Sequence, residues 1–306
     1  MSGQRGTPEE EFVSTSCAPV PSNLDCADWV LKPTAANIST VYSGDVTRML
    51  RVLDNDSVDL VVTSPPYAER RKKAYGGVPA EEYVGWFMPI SAELLRVLKP
   101  TGSFVLNIKE GTQDGERQTY VYELALALRR QGWLFIDEMI WHKTNPFPTG
   151  SKKRLKDGFE RCYQFSKTKG FKFFPDAVRT KSASKWAGDN ERRKNKGAHR
   201  TTNGSGMNMS RRVVGELVRP SNVVTMPSSS LNIGHPAVYP LGLPEFFVRL
   251  MTEAGDTVLD PFMGSGTTAL AARGLGRRYV GLELSEEYLW LSAKRLARTV
   301  LSKNKQ

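Results

Sequence analysis

From about Ser39 onward, short apolar blocks bounded by Gly, Pro, Ser or Asp alternate with longer amphipathic stretches. Val41-Tyr42 leads into Ser43-Gly44-Asp45, and the pattern after it predicts a helix over 46–53. Val58-Asp59-Leu60-Val61-Val62 has the length and β-branched content of a buried strand, and it runs into Thr63-Ser64-Pro65-Pro66-Tyr67. A basic loop, Arg70 to Gly77, precedes a helix over Tyr83 to Leu98, which Lys99-Pro100-Thr101-Gly102 breaks ahead of a strand over Ser103 to Ile108. Val121 to Arg130 reads as a helix closed by Gln131-Gly132, and Trp133 to Trp141 as a strand. The alternation lapses after about Thr168, and Gly, Asn, Ser and Arg dominate until Asn222. Order resumes with Asn222 to Met226, a helix over Leu243 to Glu253 and strands over Thr257 to Asp260 and Tyr279 to Leu282. A last helix has Leu289, Ala293, Leu296 and Val300 on one face. Strands and helices alternating at this spacing predict an α/β fold with a mostly parallel sheet and helices on both faces. The divisions are a polar tail over 1–37, a first half over 38–170, an inserted region over 171–221 and a second half over 222–306.

Composition narrows the class. The chain has 306 residues, 40% of them apolar, and no apolar run approaches the roughly 18 residues of a membrane helix. The opening MSGQRGTPEEEF lacks the apolar centre of a secretory signal. Cys17, Cys26 and Cys162 stand in no metal-ligand spacing and the three histidines add none, so a cytoplasmic, reducing setting without a bound metal is expected. Net charge is +11, and its placement matters more than its size. Arg179, Lys181, Lys185, Arg192, Arg193, Lys194, Lys196, Arg200, Arg211, Arg212 and Arg219 face only Asp189, Glu191 and Glu216, so this one segment carries +8. Such a run is either a solvated loop or a surface for a polyanion.

Two strings carry chemistry. Asp260-Pro261-Phe262-Met263-Gly264-Ser265-Gly266-Thr267-Thr268-Ala269 leaves a strand, turns on glycines and starts a helix. Gly264-x-Gly266-x-x-Ala269 fits a dinucleotide-type fingerprint, with Glu283 nineteen residues beyond Gly264 at the end of the next strand, where a carboxylate can accept ribose hydroxyls. A turn without a ligand would read the same way, and the Lys of a phosphate-binding P-loop is missing. The second string is Ser64-Pro65-Pro66-Tyr67. Its two prolines remove two N–H donors and fix two φ angles, leaving a stiff turn whose carbonyls project outward beside a flat aromatic face.

Together, Thr63-Ser64-Pro65-Pro66-Tyr67 and Asp-Pro-Phe-x-Gly-Ser-Gly-Thr-Thr resemble the catalytic and cofactor motifs of amino-group DNA methyltransferases, over about residues 38–300. The resemblance implies a Rossmann-like fold of the S-adenosylmethionine-dependent type. It makes Asp260, Pro261, Phe262, Gly264, Ser265, Gly266 and Thr267 the lining of the cofactor site, with Glu283 on the ribose. Members with Ser at the first position of the tetrapeptide mostly methylate cytosine N4, and those with Asp or Asn mostly adenine N6, so the expected target is cytosine N4 with adenine N6 as the alternative. Ser64 and the Pro65 carbonyl would hold the amino group, Pro66 would stiffen the turn and Tyr67 would stack on the base. A C5-cytosine enzyme would need a nucleophilic Cys after a Pro, which none of the three cysteines is.

The catalytic string precedes the cofactor string by about 190 residues, so the motif order is circularly permuted. Only one helix fits after Glu283, so the next strand must come from Val41-Tyr42; Asp45 at its end either meets the cofactor adenine or caps the helix that follows. Trp141 to Pro148, containing Asn145 and Phe147, resembles the family's loop near the target base, and His235 to Pro240 the segment opening the cofactor half, with Pro236 near the methionine tail. The resemblance implies duplex DNA as partner, and it is compatible with a companion restriction endonuclease. A dinucleotide-dependent oxidoreductase would leave Ser64-Pro65-Pro66-Tyr67 and the basic segment unexplained, and a non-catalytic DNA-binding module would leave both strings unexplained.

Overall fold

The computed structural model describes residues 39–69, 77–146, 148, 153–182, 216–228 and 239–303. The expected tail over 1–37, Pro236, Phe147 and the basic residues from Lys185 to Arg212 lie outside these. In chain order the elements are β1 (Thr40–Ser43), α1 (Val46–Leu50), β2 (Val58–Thr63), α2 (Tyr83–Val97), β3 (Leu98–Ile108), α3 (Tyr120–Gln131), β4 (Leu134–Lys143), β5 (Phe159–Ser166), β6 (Val223–Met226), α4 (Gly242–Met251), β7 (Thr257–Asp260), α5 (Thr267–Gly274), β8 (Arg278–Glu283) and α6 (Glu286–Lys303). Eight strands form one sheet in the order β1-β8-β7-β2-β3-β5-β4-β6. Neighbours run parallel except β5, which is antiparallel to both β3 and β4.

Period-two alternation splits the core into two layers. Val61, Phe104, Leu106 and Leu259 face α1, α2 and α3 on one side. Leu60, Val62, Val105 and Val258 face α4, α5 and α6 on the other. All six residues of β2 are buried, as expected for a parallel strand covered on both faces. β1 pairs with β8, Ser43 opposite Glu283, so the N-terminal strand completes the C-terminal half as the motif order requires. β2 and β7 are tied at both ends: Asp59 Oδ2 accepts the Thr257 amide at 2.9 Å, and Asp260 Oδ1 accepts the Thr63 hydroxyl at 2.7 Å.

Two of the differences from the sequence expectation bear on the crevice. β5 has no counterpart in it, because Phe-Glu-Arg-Cys-Tyr-Gln-Phe-Ser mixes charged and apolar residues without a clean period. Its polar side chains are nonetheless buried and paired: Arg161 bonds Glu110 at 2.8 Å and Tyr122 at 2.6 Å, and Gln164 bonds Ser103 at 3.2 Å. α6 is rotated from the expected phase; Tyr288, Ser292 and Leu296 face inward, and Ala293 is exposed. The small Ser292 lets α6 approach the glycine turn, where a Cβ on Gly266 would lie 3.0 Å from the Ser292 Cβ. Within the expected insert, Thr180 and Lys181 pair antiparallel to Val218 and Leu217. No described helix is long and apolar enough to cross a membrane.

Gly281 in β8 lies under the glycine turn, and a Cβ there would sit 2.1 Å from the Met263 sulfur. Met263 is buried, so it has little room to yield. Gly281→Ala is expected to cost about 1–3 kcal/mol by overpacking. Urea unfolding should show that Met263→Ala costs less in the Gly281→Ala background than in the wild type.

Candidate active site

From β2 the chain crosses through α2 to β3, whereas from β7 it crosses through α5 to β8 on the opposite side. The crossovers diverge between β2 and β7, and such a divergence opens a crevice at the carboxyl ends of the strands. Both strings land there: Ser64–Tyr67 follows β2, and Pro261–Thr267 follows β7.

Asp260 joins them. Its carboxylate is buried and accepts from the hydroxyls of Thr63 (2.7 Å), Thr268 (2.6 Å) and Tyr239 (3.2 Å) and from the Phe262 amide (3.1 Å). Burial pushes the carboxyl above the usual Asp range against the lowering effect of these donors. Asp260 is thus positioned as a brace beneath the crevice, its acceptors turned toward the protein.

The turn after β7 depends on left-handed backbone at Gly264 (φ 52°) and Gly266 (φ 79°), which favours residues without a Cβ. The Gly264 amide donates to Glu283 Oε2 at 2.7 Å, and the Ser285 amide to Oε1 at 2.8 Å, fixing the Glu283 carboxylate at the end of β8. Arg295 of α6 donates to the Ser265 carbonyl (2.5 Å), the Ser265 hydroxyl (2.7 Å) and the Thr267 hydroxyl (3.1 Å). Pro261 is buried and Phe262 half-buried, its ring 5.8 Å from that of Trp86. Asp45 caps α1, accepting the Thr47 and Arg48 amides at 3.0 and 3.2 Å, at the strand end next to Glu283. Sequence reasoning missed Arg295; the readable signal is a guanidinium between Ser292 and Leu296 on the inward face of α6.

On the other side of the crevice, Tyr83 donates to the Pro66 carbonyl at 2.8 Å, and Pro65 is buried. The Tyr67 hydroxyl donates to Glu160 Oε2 at 2.8 Å and accepts from the Ser64 hydroxyl at 3.3 Å. Burial first, then the charge of Glu160, raises the Tyr67 phenol well above its ordinary range, so it stays protonated. Lys143 pairs with Glu160 Oε1 at 2.5 Å and lies over the Trp141 ring. Trp141 is buried with its indole N–H on the Met226 carbonyl (3.1 Å), and Asn145 accepts the Ser228 amide (2.6 Å); both hold the loop after β4 to β6. Glu160 was also missed, because β5 itself was, and with it the partner of Lys143 at the end of β4. Arg179 and Lys181 are exposed at the base of the insert, and Arg179 and Arg219 both pair with Asp176.

Residues 58–294 match the family model described as DNA methylase. The type II methyltransferase M.PvuII of Proteus hauseri is 29% identical over 314 residues, spanning 93% of this chain and 91% of its own. M.XycI of Xanthomonas campestris pv. cyanopsidis is 31% identical over 301 residues, spanning 87% and 90%. Among solved structures, the PvuII DNA methyltransferase, described as cytosine-N4-specific, aligns with a TM-score of 0.65 at 29% identity, covering 85% of this chain and 86% of its own.

Asp260→Ala would leave three hydroxyls and one amide without their shared acceptor. Each buried group so stranded costs about 1–3 kcal/mol. A total loss of about 3 kcal/mol or more is expected in urea unfolding, well beyond that of a typical surface substitution.

Proposed function

This chain belongs to the DNA methylase family of N6 and N4 enzymes, and on that premise we propose that it transfers a methyl group from S-adenosylmethionine to the N4 amino group of a cytosine in duplex DNA. The observation that carries the choice of atom is Ser64, a hydroxyl at the first position of the tetrapeptide, placed at the crevice within hydrogen-bond reach of Tyr67. The cytosine-N4 description of the PvuII structure supports the same choice.

The residues present fit the cofactor. In this reading the Gly264–Gly266 turn, left-handed at both glycines, approaches the cofactor, and the Glu283 carboxylate, held by the Gly264 amide, receives the ribose diol. In this reading Asp45, which caps α1 at the neighbouring strand end, also meets the adenine, Phe262 offers an apolar wall, and Ser265 and Thr267 hold the turn through Arg295. When bound, S-adenosylmethionine supplies an electrophilic methyl group on a sulfonium sulfur. Ser64 and the Pro65 carbonyl hold the amino group so that its lone pair points at that methyl, and Tyr67 presents a ring face to the base. Transfer is direct. Among the described residues the one cysteine, Cys162, is buried, and burial pushes its thiol up, so it is no nucleophile for a covalent route.

The target base leaves the duplex stack to reach a crevice floor of this kind. Duplex DNA is held in this reading by the basic insert, whose paired strands begin beside Arg179 and include Lys181, and whose remaining cations, Lys185, Arg192, Arg193, Lys194, Lys196, Arg200, Arg211 and Arg212, lie outside the described residues. The type II designation of the relatives supports a companion endonuclease that recognises the same sequence.

Nucleoside analysis of methylated DNA by mass spectrometry is expected to give N4-methylcytosine, and N6-methyladenine alone would overturn the choice of atom. Ser64→Ala should retain cofactor binding and lose most turnover. Because Ser182 donates to the Glu216 carbonyl at 2.8 Å, the insert can be removed by joining these residues through a short glycine turn. The shortened protein should bind duplex DNA at least tenfold more weakly at moderate salt, by the order of magnitude expected for lost phosphate contacts, and with a shallower salt dependence in a fluorescence anisotropy titration.

A further inference from the structure

Glu160 lies on the antiparallel strand β5, 8% exposed, with one carboxylate oxygen on Lys143 and the other on Tyr67. An ion pair this far from water is a poor way to gain stability, since its desolvation offsets most of its attraction. Its hydrogen bonds have a fixed sense. An ionised carboxylate only accepts, so Tyr67 must donate to it. The Tyr67 oxygen is then left to accept, and it takes the single proton of Ser64. With that proton committed, the Ser64 oxygen meets the crevice as an acceptor, suited to an amino N–H of the substrate.

We propose that Glu160, held by Lys143, is the terminal acceptor of a proton path that starts at the target amino group and runs through Ser64 and Tyr67. The proposal rests on the methyl transfer inferred above. As the amino nitrogen forms its bond to the methyl carbon, the carbon–sulfur bond breaks and its electron pair stays on sulfur. The nitrogen then carries one proton too many. That proton passes to the Ser64 oxygen, the Ser64 proton passes to the Tyr67 oxygen, and the Tyr67 proton passes to Glu160. Ser64 and Tyr67 end as they began, and Glu160 ends neutral until it releases its proton to water. The burial that keeps Tyr67 protonated at rest suits a relay that never holds a phenolate for long. Lys143 is a positioning residue here, pairing with one oxygen of Glu160 so that the other stays aimed at Tyr67.

Single-turnover transfer of labelled methyl to duplex DNA tests the path, because it counts product whatever the target base. Glu160→Gln keeps the shape and the acceptor for Tyr67 but cannot take a proton. It should lower the rate by about 10²-fold, the lower range for a proton-transfer group, and leave dissociation constants for cofactor and DNA unchanged. The wild type should show a solvent deuterium isotope effect that Glu160→Gln lacks. Tyr67→Phe should slow the reaction comparably, and Glu160→Gln with Tyr67→Phe no more than the worse single variant, because both interrupt one path. A wild-type rate in Glu160→Gln, or losses that multiply in the double variant, would overturn the path. If Glu160→Gln fails to fold, Tyr67→Phe, which leaves the Glu160–Lys143 pair intact, decides by its isotope effect. No methyl transfer by the wild type would overturn the function itself and the path with it; transfer with insensitive variants overturns the path alone.

Discussion

A buried carboxylate must be surrounded by donors or it will not stay ionised in an apolar interior. Asp260 meets that condition with donors from four parts of the chain: the end of β2, the first turn of α5, the turn after β7 and Tyr239 ahead of α4. None of the four can shift far without stranding a polar group. The carboxylate therefore sets the height of the glycine turn relative to the Ser-Pro-Pro-Tyr turn, two segments 197 residues apart at their nearest tie. Asp59 does the same at the other end of the strand pair, so β2 and β7 are held in register from both ends.

Around that pair the two sides of the crevice are built differently. On the cofactor side the backbone amides of Gly264 and Ser285 fix Glu283, and Arg295 ties Ser265 and Thr267 to α6. The catalytic side is rigid through side chains, with Tyr83 on the Pro66 carbonyl and Tyr67 on Glu160. A parallel sheet alone would not supply that last partner. Because β5 runs against its neighbours, the residue near its start reaches the carboxyl-end rim of the sheet, where Lys143 at the end of β4 also stands.

Strands covered on both faces are legible in a sequence because burial forces an unbroken apolar run, and Val58–Val62 and Val258–Leu259 advertise themselves this way. The glycine turn and the proline turn are legible because few residues tolerate their backbones. The pairing of β1 with β8 followed from counting strands. β5 was hidden by its polar content: Glu160, Arg161 and Gln164 look like surface residues until their partners on β3, β4 and α3 are known. The phase of α6 was hidden by Arg295 and Ser292, which face inward to serve the glycine turn rather than the apolar core. Each miss traces to a polar group buried for a partner distant in sequence, which a reading of local periodicity does not register.

The permuted order has a bearing on how the protein is made. β1 and β2 leave the ribosome early, yet in the finished sheet β8 and β7 stand between them. Until those last strands are synthesised, β1 has no neighbour and one edge of β2 is open, an exposed template for wrong pairing. The sheet is completed only by contacts between strands roughly two hundred residues apart, which are slow to form. A nascent chain of this kind should depend on holdase chaperones until release, and stalling before β7 should leave an aggregation-prone fragment rather than a folded half.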